Sequence, residues 1–251
     1  VLIMPDFNYL DKRTNAYYIN SRVPFSPLGT LSPSLVETVF DFAYQMTFGQ
    51  NGEHRAHRTG GTHQRRNGEI FANTFQGKLA EYALFCVLTD NGINVSKPDL
   101  GVFGLGKWDF VDLTIGNESV SIKSTKSFGN LLLLEEHDWD KQANYLPNGH
   151  GYDYTFLIRM NPFCEDIMRR NGFLYSDSIN QATLKQIIMA ESWTFDIPGY
   201  VTREDLIQII NENYILPRGS MLSGKTRMDA SNYYIQSGDM RNLNSFIRDR
   251  G

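Results

Sequence analysis

The run Trp-Asp-Phe-Val-Asp-Leu-Thr-Ile at positions 108–115 is followed by Gly116-Asn117 and then by Val-Ser-Ile-Lys-Ser at positions 120–124. Both runs alternate polar and apolar residues, which is typical of β-strands with one buried face. Gly-Asn between two such runs is a strong signal for a hairpin turn. The stretch from 108 to 126 therefore predicts an antiparallel β-hairpin.

The two-residue period of a strand determines which side chains share a face of this hairpin. Ser121 and Lys123 share one face of the second strand, and Asp112 lies on the polar face of the first. The apolar faces consist of Val111, Leu113 and Ile115 on the first strand and Val120 and Ile122 on the second. Pairing these faces places Asp112 across from Ser121 with a two-residue turn, and across from Lys123 with a four-residue turn. In both registers Asp112 and Lys123 project from the same side.

A carboxylate and a lysine held side by side on strands form a chemically useful pair. The carboxylate can bind a hard divalent cation, and the lysine can orient a water or stabilise charge on a phosphate. A cross-strand ion pair on a solvated face is the alternative interpretation. Asp109 competes with Asp112 for the carboxylate role, because a β-bulge or a three-residue turn would exchange their faces.

The predicted elements around the hairpin are mostly helical. Ser32 is a suitable N-cap for a helix that begins at Pro33, and apolar spacing predicts a second helix over 69–89. The stretch before Leu31 and the tail from Leu216 are predicted to be loop-rich. The other predicted elements are strands at 93–95 and 154–160 and helices at 184–191 and 203–212. This order indicates a mixed α/β or α+β fold.

The composition limits the class of protein. The 251 residues fit one large domain, and a net charge of −4 counts against a protein that coats nucleic acid nonspecifically. Cys86 and Cys164 are too few for a disulfide framework, and the start of the chain is unlike a secretory signal, so we expect a reduced, cytoplasmic protein. No apolar run has the length of a membrane span, and we expect no membrane partner.

The hairpin and the helix before it resemble the PD-(D/E)XK nuclease superfamily, to which most type II restriction endonucleases belong. That family combines a helix bearing a glutamate, an aspartate on one strand of a hairpin, and (Asp/Glu)-x-Lys on the next strand. The corresponding residues here are Gly-Lys-Leu-Ala-Glu at 77–81, Asp112, and Ser-Ile-Lys at 121–123. The resemblance covers about 68–154. It implies a restriction-endonuclease-like mixed central β-sheet flanked by helices, with its core over 68–160 of a single nuclease domain spanning 1–251.

The resemblance also implies a Mg²⁺ cofactor and roles for individual residues. Asp112 and Glu81 would bind the metal ion, the main-chain carbonyl of Ile122 would add a ligand, and Lys123 would position the attacking water.

Ser121 departs from the family pattern, because an acidic residue usually stands there. Some members with Ser-x-Lys supply the missing carboxylate from further along the chain. Glu135 and Glu136, directly after the leucine run 131–134, are the candidates for that role beside Glu81.

Contacts to double-stranded DNA are predicted for the basic, glycine-rich segment 49–68 and for lysines and arginines outside it. Arginine reads guanine bidentately, and all basic side chains can contact phosphates. The candidates are Arg55, His57, Arg58, Arg65 and Arg66 in the segment, and Lys126, Lys225 and Arg227 elsewhere. A zinc site is an alternative interpretation of His54, His57 and His63, but no cysteine accompanies these histidines and their spacing is not that of a standard zinc site.

The sequence therefore predicts a Mg²⁺-dependent type II restriction endonuclease that cuts double-stranded DNA at a specific site. A homodimer is expected from the two-fold symmetry of palindromic sites. The alternatives are a structure-specific repair or junction nuclease of the same fold, and a DNA-binding protein that has lost the chemistry. Ser121 is the residue that keeps the last alternative open.

Overall fold

A computed structural model of the protein describes residues 5–49, 65–101 and 111–250. The α-helices within these ranges are α1 (Pro33–Phe48), α2 (Asn67–Asp90), α3 (Cys164–Arg170), α4 (Gln181–Met189), α5 (Arg203–Asn211) and α6 (Leu243–Arg248). The two predicted N-terminal helices are confirmed as α1 and α2. Ser32 caps α1 by accepting a hydrogen bond from the Leu35 N–H at 3.3 Å, and Pro33 occupies the first turn, where it leaves no donor unsatisfied.

The strands of the same ranges form four sheets. In chain order they are β1 (Asp11–Arg13), β2 (Ala16–Tyr18), β3 (Gly29–Thr30), β4 (Leu113–Ile115), β5 (Glu118–Lys126), β6 (Leu131–Glu135), β7 (Asn144–Tyr145), β8 (His150–Gly151), β9 (Tyr154–Asn161), β10 (Thr194–Thr202), β11 (Ile215–Leu216), β12 (Met221–Leu222), β13 (Thr226–Arg227) and β14 (Asn232–Gln236). The central sheet has the order β3-β10-β9-β5-β4, the second sheet β11-β14-β6, and the small sheet β1-β2-β12-β13; β7 pairs with β8. The predicted mixed α/β fold is confirmed.

The central sheet is buried on both faces. Successive residues of β9 alternate between two apolar clusters: Phe156 and Ile158 join the first core, and Leu157 joins the second. The first core lies under α1, α2, α3, α4 and α6, whereas the second core is covered by the second sheet and α5. The parallel pair β5–β9 is connected through the second sheet, so the connection uses strands where a helix is more usual.

The two loop-rich predictions missed strands, and the predictions of a strand at 93–95 and of the face of Val111 are wrong. The stretch before Leu31 contributes β1, β2 and β3, and the tail from Leu216 contributes the buried strand β14. The predicted strand at 93–95 is only an isolated bridge between Val95 and Ile115. Val111 packs against the second core, not with Leu113 in the first.

None of the helices in the described ranges combines the length and the apolar character that a membrane crossing needs.

Candidate functional site

The hairpin forms with the shorter of the two predicted turns. Ile115 pairs with Glu118, so that Gly116 and Asn117 alone make the turn, and Gly116 has φ of +60°. A positive φ at the first turn residue is characteristic of a type II′ hairpin turn, which glycine adopts without a steric cost. This turn fixes the register of β5 against β4.

Where the hydrogen-bond ladder of the hairpin ends, two residues of the first strand face one residue of the second. Leu113 pairs with Val120, while the N–H of Asp112 also donates to the Val120 carbonyl at 3.1 Å. Two consecutive residues that face one partner form a β-bulge, and a bulge exchanges the faces of the residues before it. The bulge explains why Val111 reaches the second core.

Asp112 lies at the edge of β5 beyond this bulge, and not on a face of the hairpin as the alternation predicts. Its Oδ2 accepts a 2.6 Å hydrogen bond from the main-chain N–H of Ile122. A bond to a main-chain donor holds the carboxylate in the plane of the sheet. No strand in the described part of the chain pairs with this edge of β5 after Val120.

The carbonyl of Ile122 projects from the same edge. The N–H and C=O of one strand residue point to the same side, and successive residues alternate. The Ser119 carbonyl accepts the Asp153 N–H on the β9 side, and the Val120 carbonyl accepts the Asp112 N–H on the β4 side. Ile122 follows Val120 by two residues, so its carbonyl and the Asp112 carboxylate share the β4 side.

Ser121 and Lys123 lie on the second-core face of β5. Ser121 pairs with Thr155 and is 2% exposed, and Lys123 pairs with Leu157. Lys123 is half-buried, and among the described residues it forms no ion pair, with Asp112 or any other carboxylate. The ammonium group is therefore not committed to a structural partner within those ranges.

Tyr152 connects Asp112 to the second core. Burial raises the pKa of Tyr152 to about 12, a hydrogen bond from Asn148 opposes that shift, and the negative charge of Asp112 adds to it. Tyr152 contacts Trp139 in the second core, with ring centroids 6.2 Å apart. The Asp112 carboxylate is thus close enough for its charge to act on that layer.

Glu81 lies on α2, which packs in the first core. Its Oε2 accepts a 2.6 Å hydrogen bond from Lys78, and both side chains are largely buried. Lys78 also lies over the ring of Phe42 on α1, 5.6 Å from its centroid. Glu81 is therefore placed as half of an ion pair at the junction of α1 and α2.

At the end of β6, the side chains of Glu135 and Glu136 lie in different surroundings. Ligand atoms of Glu135, His137 and Asp138 lie within 4.8 Å of one another, and His137 Nε2 is 3.1 Å from Asp138 Oδ1. Glu136 instead lines an open pocket of about 780 Å³, in which Tyr233 also takes part. The group of Glu135, His137 and Asp138 could hold a metal ion, and the sequence prediction did not include His137 or Asp138.

The predicted DNA contacts have different surroundings. Arg55, His57, Arg58 and Asp109, like the histidines of the zinc alternative, lie outside the described residues. Arg65 directly precedes Arg66, which is at the N-terminus of α2 and pairs with Asp177 at 2.5 Å. Lys126 pairs with Asp166 at 2.7 Å. Lys225 and Arg227 are exposed on the β12–β13 hairpin.

Comparison with known proteins gives no match to a family model, to a curated protein or to a solved structure.

Proposed function

We propose that the protein is a Mg²⁺-dependent endonuclease acting on double-stranded DNA, with its centre at the β4 edge of β5. The observation that carries this proposal is the position of the Asp112 carboxylate. It is bonded to the Ile122 N–H, it shares an edge with the Ile122 carbonyl, and Lys123, which has no ion-pair partner among the described residues, follows Ile122 on the same strand. An aspartate, a main-chain carbonyl and a lysine are the groups that the PD-(D/E)XK pattern brings together.

The donor set fits Mg²⁺. Asp112 and the Ile122 carbonyl both offer oxygen, the ligand that this hard cation prefers, and only Oδ2 of Asp112 is engaged by a described hydrogen bond. Mg²⁺ usually keeps several waters and takes one or two carboxylates, so an incomplete protein set is normal. Glu81, Glu135 and Glu136 are the candidates for a second carboxylate. A bound Mg²⁺ lowers the pKa of a coordinated water and neutralises charge on the phosphate oxygens.

The chain itself contributes orientation and positive charge. The 2.6 Å bond to Ile122 fixes the direction of the Asp112 carboxylate before any ligand arrives, so less reorganisation is needed on binding. Lys123 extends from the rigid strand β5 and can donate to a phosphate oxygen or orient the attacking water. Ser121 is buried and carries no charge, so it takes no part in holding the ion.

The test is digestion of phage DNA in Mg²⁺ by the wild type, Asp112→Asn and Lys123→Met. Asparagine keeps an acceptor for the Ile122 N–H but loses the negative charge, and methionine keeps the side-chain length but loses the ammonium. We expect discrete bands from the wild type and a loss of at least about 10²-fold in rate from each variant. Asp41→Asn and Lys185→Met, which lie on α1 and α4 and pair with each other at 3.1 Å, are the matched controls and should cut normally.

The other outcomes separate the alternatives. Cleavage only at branched or damaged substrates would replace site-specific cutting with a structure-specific nuclease. A folded wild type that binds duplex DNA but cuts none of several DNAs in Mg²⁺ or Mn²⁺ would refute the enzyme and leave a DNA-binding protein. The homodimer and the cytoplasmic location remain predictions.

A further inference from the structure

The small sheet joins two distant parts of the chain. The β1–β2 hairpin and the β12–β13 hairpin meet through a parallel contact between β2 and β12. The Met221 N–H donates to the Asn15 carbonyl at 2.9 Å, and the Ser223 N–H donates to the Tyr17 carbonyl at 2.7 Å. Two segments predicted to be loop-rich therefore form one surface.

Among the described residues, one face of the small sheet packs against the second core. Tyr17 and Leu222 point toward the second core and pack against it. Because side chains alternate along a strand, the neighbours of Tyr17 and Leu222 in their strands lie on the opposite, outward face. The residues that pair with those neighbours lie on the same outward face. That face consists of Asp11, Arg13, Ala16, Tyr18, Met221 and Arg227.

The sheet is basic in an acidic protein. Residues 11–18 and 221–227 carry Lys12, Arg13, Lys225 and Arg227 against the single acid Asp11, a net charge of +3. The whole chain has −4, so the remainder has −7. The four cations are exposed, and none of them has an ion-pair partner in the described ranges. The Asp11 carboxylate accepts a 2.8 Å hydrogen bond from the side-chain amide of Asn20.

The outward cations are held in defined positions. The guanidinium of Arg13 lies over the ring of Tyr18, with its carbon 5.0 Å from the ring centroid. Lys225 follows a tight turn in which Ser223 and Gly224 have φ of +52° and +67°, so its side chain is carried at the tip of the β12–β13 hairpin. A stacked guanidinium keeps its planar donor fork available for phosphate oxygens.

We infer that the outward face of the small sheet binds the sugar-phosphate backbone of duplex DNA. This inference rests on the proposed function, because it assigns the surface that holds the substrate of that function. Exposed cations without carboxylate partners complement a dense array of phosphates. An acidic polypeptide is the competing occupant, and the test includes it.

The test measures binding in EDTA, so that it does not depend on cleavage. The probe is a fluorescently labelled duplex of mixed sequence, titrated by anisotropy at several salt concentrations. The triple variant Arg13→Gln/Lys225→Gln/Arg227→Gln should bind at least about 30-fold more weakly, and the slope of log K against log salt should become less steep by about 2 to 3. The control Arg169→Gln/Arg170→Gln/Arg248→Gln removes the same charge from exposed helical sites and should bind like the wild type.

Four results would overturn the inference: no binding by the wild type, an unchanged salt slope in the sheet variant, an equal loss in the helical control, or a preference of the wild type for polyglutamate over the duplex. Circular dichroism verifies that both triple variants are folded. Sheet-dependent binding by a wild type that never cuts DNA supports the surface and refutes the nuclease. Normal binding and cutting by the sheet variant refutes the surface and leaves the nuclease intact.

Discussion

At the scale of single residues, Tyr152 reports the charge of Asp112. The Tyr152 hydroxyl is in the second core and accepts a 3.0 Å hydrogen bond from the Asn148 side chain. Its pKa is raised from 10.0 to about 12, first by burial and further by the negative charge of Asp112. Because the phenol of the unfolded chain ionises at lower pH, the stability contributed by neutral Tyr152 is complete below pH 10 and is lost as the pH rises through 12.

We therefore expect Asp112→Asn to lower the pKa of Tyr152, since the substitution removes the nearby negative charge. The measurement is an NMR titration of protein labelled with ¹³C at the tyrosine ring, with Tyr152→Phe used to assign the resonance. Asp249→Asn, which removes a carboxylate that does not act on Tyr152, should leave the titration unchanged. An unchanged Tyr152 pKa in Asp112→Asn would contradict the placement of that carboxylate near the second core.

At the scale of elements, Gly116 in the hairpin turn and Gly77 in α2 allow the same substitution to be compared in two backbone conformations. A Cβ at Gly116 or at Gly77 would meet no atom within 4 Å. Gly116 has φ of +60° in the turn, whereas Gly77 lies inside α2. Gly116→Ala should lower the free energy of unfolding by about 1–2 kcal/mol, because alanine resists that backbone conformation. Gly77→Ala should raise it by about 0.5–1 kcal/mol.

Urea unfolding followed by circular dichroism measures both values. The two substitutions add the same methyl group into open space, so each is the control for the other. Equal changes in stability from the two variants would mean that the backbone of the turn does not require glycine, and the register that places Asp112 at the edge of β5 would lose its explanation.

The periodicity of the sequence predicted the elements that have one buried face. It failed where packing or a local irregularity determines the structure. Ser32 and the Gly116-Asn117 turn were sufficient for α1 and the hairpin. β10 was missed because Pro198 and Gly199 interrupt it, and the strand tolerates them through a register shift after Asp196. The edge position of Asp112 depends on a β-bulge that no sequence pattern marks.

At the scale of the whole molecule, Arg159 joins parts of the chain that are far apart in sequence. It is 0% exposed on β9 and forms a bidentate pair with Asp196 on β10, with distances of 2.8 and 2.6 Å. Its remaining donors reach the carbonyls of Val23 and Pro24 and the side chain of Asn130. One guanidinium therefore ties the N-terminal segment and the β5–β6 turn to the central sheet.

Removal of the Asp196 carboxylate should weaken this junction far more than removal of an exposed one. Asp196→Ala leaves the buried guanidinium of Arg159 without its counter-charge, and a cost of about 3–5 kcal/mol is expected from breaking a buried pair. Asp166→Ala removes the partner of Lys126 at the surface, where the expected cost is below about 1 kcal/mol. Urea unfolding compares the two variants, and limited proteolysis before Leu31 shows whether the N-terminal segment is released first. Similar costs for both substitutions would mean that the Val23 and Pro24 carbonyls and the Asn130 side chain are sufficient to hold Arg159.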